Sequence, residues 1–325
     1  MGTKRILLLV VAGTLFGLIT PIIAEAQDYP SRPIKIVVPY PPHGPADVAA
    51  RLVAAPLSSG LGQTVVVENQ SGAGGRTGAK AVALASPDGY TLQLGGTNPN
   101  AMAKSLYRNL DFDPIRDLAA VALIAVDSNV LVINPNVPAK TLQELVHYAK
   151  ANPGKLTSGA TIGISPHICL EVLRVRTGTN IVFVPYKGAA PAIADLLGGQ
   201  IQIGMSSKAV LLPLIKEGRL RAIAVTSETR WPELPDVPTM AESGLTGMPP
   251  YVWFGLLAPA QTPEPIIAKL NAAVNAGLKL PEMQASIAKL GMETRSLTAR
   301  EFADKLAEEE RSWADAIRES GIKVD

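Results

Sequence analysis

The chain has 325 residues, 47% of them apolar, and a formal net charge of +2 at pH 7. So even a balance gives no electrostatic reason to expect nucleic acid or an anionic membrane surface as partner, and a lone cysteine, Cys169, excludes an internal disulfide. The length exceeds what one hydrophobic core ordinarily serves, so two lobes stabilised by burial alone are expected.

At the amino terminus Lys4 and Arg5 form a short basic region, the run 6–23 is almost wholly apolar, and Ala24-Glu25-Ala26 places small residues before Gln27. This is the pattern of a secretory signal peptide, residues 1–26, cleaved after Ala26. Gly13, Gly17 and Pro21 interrupt the run and no basic stop-transfer cluster follows it, which weighs against a retained anchor. No cysteine follows it either, which weighs against lipidation, and no later segment approaches the length of a spanning helix. The expectation is an exported chain that does not enter the membrane once the leader is removed. Its formal charge is then +1, because Lys4, Arg5 and Glu25 leave with the leader.

After a Pro-rich entry at 29–33, residues 34–38 read as a short buried strand, 39–45 as a loop and 47–61 as a helix. Strand 64–68, a Gly-rich turn, helix 77–85 and strand 91–94 repeat the pattern, with Pro87-Asp88-Gly89 as a turn. Strands alternating with helices imply βαβ units and mainly parallel sheets. A second series follows: an apolar run 120–133, helix 141–151, strand 155–158, helix 166–177 and strand 181–184. The alternation continues through 190–197, 201–203, 211–216 and 220–225. Residues 231–250 are rich in proline and turn formers, 252–257 read as a strand, and the chain ends in helices. Thr298 and Glu301 have capping-box spacing ahead of the last of them. The simplest arrangement is two α/β lobes, one of residues 27–125 with 250–325 and one of residues 126–249, with crossings near Ala125 and Pro250.

Gly72-Ala73-Gly74-Gly75-Arg76-Thr77-Gly78 has the look of a dinucleotide fingerprint. The following strand, however, runs into Gly95-Gly96-Thr97-Asn98 and lacks the acidic residue that would hold a ribose. A tight βα turn fits better. His43, His147 and His167 lie far apart and form no i, i+4 pair, so neither a metal nor a cofactor is expected. Cys169 sits at a helix start, where a thiol can be acidified, but Ile168, Leu170 and Val172 mark it as a buried structural residue. No Gly-x-Ser-x-Gly elbow is present. An exported hydrolase or lyase would have to use His43 or His167 as base, with Asp47 nearby.

What remains is a set of loops at helix starts. They are Tyr40-Pro41-Pro42-His43-Gly44-Pro45-Ala46-Asp47, the strand end at Thr97-Asn98, Thr161-Ile162-Gly163-Ile164-Ser165, and Tyr186-Lys187-Gly188-Ala189. Unsatisfied backbone N–H groups and the positive end of the helix dipole make such loops anion receptors without a cationic side chain. Several meeting at one cleft would hold a carboxylate at each end. The same loops are also ordinary βα turns, and spacing alone does not separate the two.

Several segments resemble, in order, the receptors of tripartite tricarboxylate transporters, also called Bug proteins. In the first part of the chain these are Tyr29-Pro30-Ser31-Arg32-Pro33-Ile34, Val38-Pro39-Tyr40-Pro41-Pro42, Val67-Glu68-Asn69, Gly72-Ala73-Gly74-Gly75 and Pro87-Asp88-Gly89-Tyr90-Thr91-Leu92. Further on they are Val184-Pro185-Tyr186-Lys187-Gly188, Leu196-Leu197-Gly198-Gly199-Gln200, Leu220-Arg221-Ala222-Ile223-Ala224-Val225-Thr226 and Leu234-Pro235-Asp236-Val237-Pro238-Thr239. The resemblance spans essentially the whole chain after the leader. It implies a periplasmic binding protein of the type II architecture, two-lobed and α/β, each lobe a mainly parallel sheet flanked by helices. It implies capture of a small carboxylate, which family members take as mono-, di-, tricarboxylates, aromatic carboxylates or acidic amino acids, and a two-subunit integral membrane permease as partner. A monomer is expected, and docking to a sensor kinase is an alternative use of the same lobes. Carried over, the resemblance places ligand contacts at Tyr40 to Asp47, Thr97 and Asn98. In the second lobe it places them at Thr161, Gly163, Ile164, Ser165, His167, Tyr186, Lys187, Gly188, Ser206, Ser207 and Lys208.

The departures cluster in those loops. The family usually has Gly-Gly after the paired prolines, and this chain has His43-Gly44. Ile164 and Pro166 replace hydroxyl residues, and Ile162 adds apolar surface. Where the family commonly reads Met-Phe-Asp-Asn, Gly204-Met205-Ser206-Ser207-Lys208 removes an acid and adds a cation. An ammonium group on the ligand loses a partner and a second carboxylate gains one. The pattern points to a non-amino carboxylate, either a dicarboxylate or an aromatic one whose ring packs on Ile162 and Ile164.

Overall fold

In chain order the first lobe opens with β1 (Ile34–Val38), α1 (Pro45–Leu61), β2 (Val65–Asn69), α2 (Arg76–Ala83) and β3 (Thr91–Gly96) of a computed structural model that describes residues 29–324. The expected leader and its cleavage site lie outside the described residues. β1 is buried along almost its whole length, as a parallel strand covered on both faces must be. It pairs in parallel with β2, Ile34 opposite Val65, and with β3, Lys35 opposite Thr91. α1 starts on Pro45, whose missing N–H is no loss in a first turn, and stops at Gly62, which takes φ 68°. A Cβ on Gly78 would lie 2.8 Å from the Gln70 carbonyl and 3.0 Å from Pro39 Cα. The Gly-rich segment is thus a close-packed βα turn.

Beyond β3 come a π-helical turn (Thr97–Met102), α3 (Ala103–Leu106) and β4 (Leu118–Asp127). β5 (Asn129–Ile133) follows with only Ser128 between, and it belongs to a different sheet. The apolar run 120–133 is therefore two strands in two sheets, with Ser128 between them. The second lobe continues with α4 (Leu142–Ala151), β6 (Thr157–Thr161), α5 (Ser165–Thr177), β7 (Val182–Tyr186) and α6 (Ala189–Gly198). β8 (Ile203–Ser207), α7 (Lys208–Lys216) and β9 (Arg221–Val225) complete it. The chain returns through an irregular segment to β10 (Val252–Pro259), α8 (Glu264–Leu278), α9 (Pro281–Lys289), β11 (Glu293–Thr294) and α10 (Ala299–Ser320).

The first sheet has the strand order β11-β4-β10-β3-β1-β2 and the second β7-β6-β8-β5-β9. The two-lobed α/β fold is present, but both sheets are mixed rather than mainly parallel. Between the named strands, parallel pairing joins β1 with β2 and β3, and β6 with β7 and β8, the strands linked by helical crossovers. β4, β5 and β10 run antiparallel to their neighbours. These strands carry the chain directly from sheet to sheet, and no intervening helix turns them back into parallel register.

α10 begins with the expected capping box, Thr298 accepting from Glu301 N–H and Glu301 accepting from Thr298 N–H. It packs on β4 and the π turn of the first lobe and on α5 of the second. Phe302 and Trp313 anchor it in a core that runs through both lobes, from Val37 and Leu123 to Ile168 and Leu173. Arg176 of α5 pairs with Glu319 of α10 at 2.7 Å.

Candidate functional site

Three hydrogen bonds onto one carboxylate shape the loop between β1 and α1. Asp47, almost fully buried, accepts from the His43 N–H and Arg51 Nε at 3.0 Å each, and its other oxygen accepts from Asn69 Nδ2 at 3.0 Å. Asn69 also donates to the Tyr40 carbonyl at 3.1 Å. The Arg51 guanidinium, helped by the donors at His43 and Asn69, holds the Asp47 carboxyl at about 2, below its ordinary 3.8. The network forces His43 to φ 67°, a left-handed conformation that a side chain adopts at a cost.

Between the lobes this loop lines a cavity of 560 Å³, within the usual range for small-molecule sites. Tyr40, Pro41, Pro42, Gly44, Pro45 and Ala46 form one wall, Thr97 and Asn98 another, and Val252, Trp253, Phe254 and Met292 a third; Ile164 reaches in from the second lobe. Tyr40 stands edge-on to Phe254 with centroids 6.5 Å apart, and burial pushes its hydroxyl above the ordinary tyrosine range. The π turn is pinned by Asn100, whose Oδ1 accepts from the Gly96 N–H at 3.0 Å, and by Thr97 Oγ1, which accepts from the Trp253 N–H at 3.0 Å. Such turns concentrate where a helix start is bent to serve a site.

Ile164 also lines a narrow apolar hollow in the second lobe, together with Gly159, Thr161, Pro166, Ala189, Met205 and Ser206. The helix starts around the two cavities are open. The N-cap residues of α1, α5 and α6 are Gly44, Ile164 and Gly188, and none makes a side-chain cap bond. First-turn N–H groups of three helices are thus left for other acceptors, at the positive ends of their dipoles. Asp127, from the end of β4, accepts from the Ser128 N–H at 2.7 Å and lines a cavity with Lys208, the first residue of α7.

The structure brings together Tyr40, Pro41, Pro42, Gly44, Pro45, Ala46, Thr97, Asn98, Thr161, Ile164 and Ser206 in these walls. Other expected contacts lie elsewhere. The His43 side chain is exposed, and Asp47 is spent on the loop. Gly163 takes φ 76° and donates its N–H to His167 Nδ1 at 3.1 Å, while the His167 ring lies 4.2 Å from that of Phe183. Burial lowers the pKa of His167 and keeps it neutral. Ser165 Oγ accepts from Asn129 Nδ2 at 2.8 Å. Tyr186 donates to Asp195 at 2.6 Å, its ring over Gly159. Lys187 is exposed, and neither it nor Gly188 lines a wall.

Lys208 lies away from both walls. It lines a separate cavity of 170 Å³ with Asp127, Ser128, Trp231, Glu293 and Arg295, and that cavity shares no lining residue with the other two. Glu233 and Glu293 draw its ammonium there, at 3.3 and 3.6 Å. Ile162 is 52% exposed and lines neither wall, so the expected apolar pair reduces to Ile164. Cys169 is fully buried and its thiol is pushed up to about 12, the opposite of an activated nucleophile. Val252, Trp253, Phe254 and Met292 escaped the reading of the sequence. The signal for the first three was their place directly after the second crossing, where a strand must begin beside the cleft.

The family model described as "Tripartite tricarboxylate transporter family receptor" matches residues 49–322. Protein BugT of Bordetella pertussis is 37% identical over 310 residues, 95% of this chain and 94% of that protein. Among solved structures, Rpa4515 of R. palustris with adipate shares 33% identity at a TM-score of 0.74, covering 91% of this chain and 99% of that one. MatC of Rhodopseudomonas palustris with bound malate shares 33% identity at 0.73, covering 89% and 100%.

Proposed function

We propose that this chain, which belongs to the tripartite tricarboxylate transporter receptor family, is an exported solute-binding receptor that holds a small carboxylate between its lobes and presents it to a two-subunit membrane permease. One observation carries the reading: open helix starts from both lobes, α1 from the first and α5 and α6 from the second, border cavities joined by Ile164. Carboxylate oxygens are the acceptors such N–H groups suit. The adipate and malate held by the two relatives support the same ligand class.

The lobes move about the two crossings, at Ser128 and near Pro250, and residues 129–249 form the second lobe. A short chain of bonds ties the crossings together: the Asn129 N–H donates to Thr226 Oγ1 at 2.9 Å, and Thr226 donates to the Pro250 carbonyl at 3.0 Å. The mature receptor is a periplasmic monomer beginning at Gln27.

Calorimetric titration of the mature chain with adipate and malate tests the proposal. Reversible binding is expected, with ligand recovered unchanged and a gain of about 2.7 kcal/mol in stability at a hundredfold excess over Kd. Chemical conversion of the ligand, or no binding of any carboxylate, refutes it.

A further inference from the structure

We infer that Ile164 makes the cleft selective for carboxylates with an apolar body and excludes α-amino acids, a refinement that rests on the receptor reading above. Ile164 is common to both cavities and is the second-lobe residue in the wall of the larger one. It occupies the N-cap of α5 at φ −103°, ψ 165°. Ser, Thr, Asp and Asn lead at that position because their side-chain oxygen accepts a first-turn N–H. An isoleucine gives up that bond and presents partly exposed apolar surface to the cleft. A local rule broken in the wall of a site marks a residue chosen for what it contacts.

The facing wall continues the apolar surface through Pro45, Val252, Phe254 and Met292, and no acidic side chain lines either cavity. The acids of the adjoining segments are engaged elsewhere. Asp47 is bonded to His43, Arg51 and Asn69, while Asp127 and Glu293 line the separate cavity with Lys208. An ammonium group brought into the cleft sheds water and meets no carboxylate, whereas a methylene chain or ring sheds water against Ile164 and Phe254. A hydroxyl group is penalised less, because Thr97 and Asn98 bring polar side chains to the wall. The discrimination is therefore sharpest against ammonium.

Matched acids that differ only in an amino group isolate the effect, so the mature chain is titrated calorimetrically with adipate, glutarate and glutamate. Glutarate is expected to bind at least about tenfold tighter than glutamate. In Ile164→Asp, which adds a carboxylate at a position where aspartate also caps the helix, the ratio should shift about tenfold toward glutamate. In Ile164→Ser, which caps without charge, dicarboxylate binding should weaken and the ratio fall, by less than in Ile164→Asp. Melting temperatures of both variants at or above that of the parent confirm that α5 is intact. Glutamate binding as tightly as glutarate in the parent, or a ratio unmoved in folded Ile164→Asp, overturns the inference and leaves the receptor reading standing. Absence of binding by all three acids overturns both.

Discussion

Lys208 Nζ lies 3.6 Å from Glu293 Oε1, a pair that joins the second lobe to the first inside a cavity separate from the cleft. The same ammonium reaches Glu233 at 3.3 Å and lies 5.6 Å above the Trp231 ring. Lys208 therefore ties the two lobes together through this pair. Lys208→Met should change the affinities for adipate and for a monocarboxylate such as hexanoate by the same factor, within about threefold. A selective loss of adipate would put the ammonium in the cleft. Glu293→Gln should cost less than about 1 kcal/mol in urea unfolding, because its carboxylate is 54% exposed and Glu233 remains.

Asp47 is the keystone of the β1–α1 loop. Asp47→Ala removes the acceptor of three donors and should cost about 2–3 kcal/mol while abolishing binding. The carboxyl is held at about 2 in the fold against an ordinary 3.8, so its contribution is fully present above that ordinary value and lost as pH falls toward 2. Acid unfolding of the parent should steepen below about pH 4, and Asp47→Asn should flatten that limb.

His43 carries a side chain at φ 67°, where glycine is at home. The strain relieved by His43→Gly exceeds the backbone entropy it adds, so the variant should gain about 0.5–1 kcal/mol. Thermal unfolding reads the change. Because the His43 side chain is exposed and lines neither wall, affinity should be unaltered; a stability loss would mean that the imidazole holds the loop.

Two buried acids act in the opposite sense to Asp47. Burial raises Asp127 to about 7 despite the Ser128 N–H it accepts from and the charge of Lys208, and raises Glu309 to about 7 beside Lys305 and Trp313. The folded state then binds more protons than the unfolded chain between the ordinary carboxyl value and about 7, so stability should rise as pH falls through that window. Denaturant titrations near pH 5 and pH 7.5 should find the chain more stable at the lower value, by up to about 1.4 kcal/mol per pH unit for each group. Asp127→Asn and Glu309→Gln should each remove part of the slope. A flat profile in the parent contradicts the assignment.

The sequence was most legible where local rules and burial agree. β1 and the capping box of α10 fall where the apolar run and the Thr298–Glu301 spacing put them, and α1 ends at Leu61 as read but begins at Pro45, inside the expected loop. The run 120–133 did not reveal that Ser128 divides it between two sheets, since strand pairing is a long-range property that periodicity does not carry. Nor could spacing show that Asp127 would reach the start of α7 and that Glu233 and Glu293 would turn Lys208 away. In the site, the helix-start loops were readable because open N-caps are local. Spacing could not show that His167, Ser165 and Tyr186 would meet Gly163, Asn129 and Asp195, because those hydrogen bonds are made only in the fold.

Backbone hydrogen exchange with and without saturating adipate tests most directly whether open helix starts from both lobes hold one carboxylate ligand. Slowed exchange is expected in residues 44–50 and 97–102 of the first lobe together with 163–168 and 188–192 of the second. Slowing confined to one lobe, or centred on the cavity around Lys208, would contradict it.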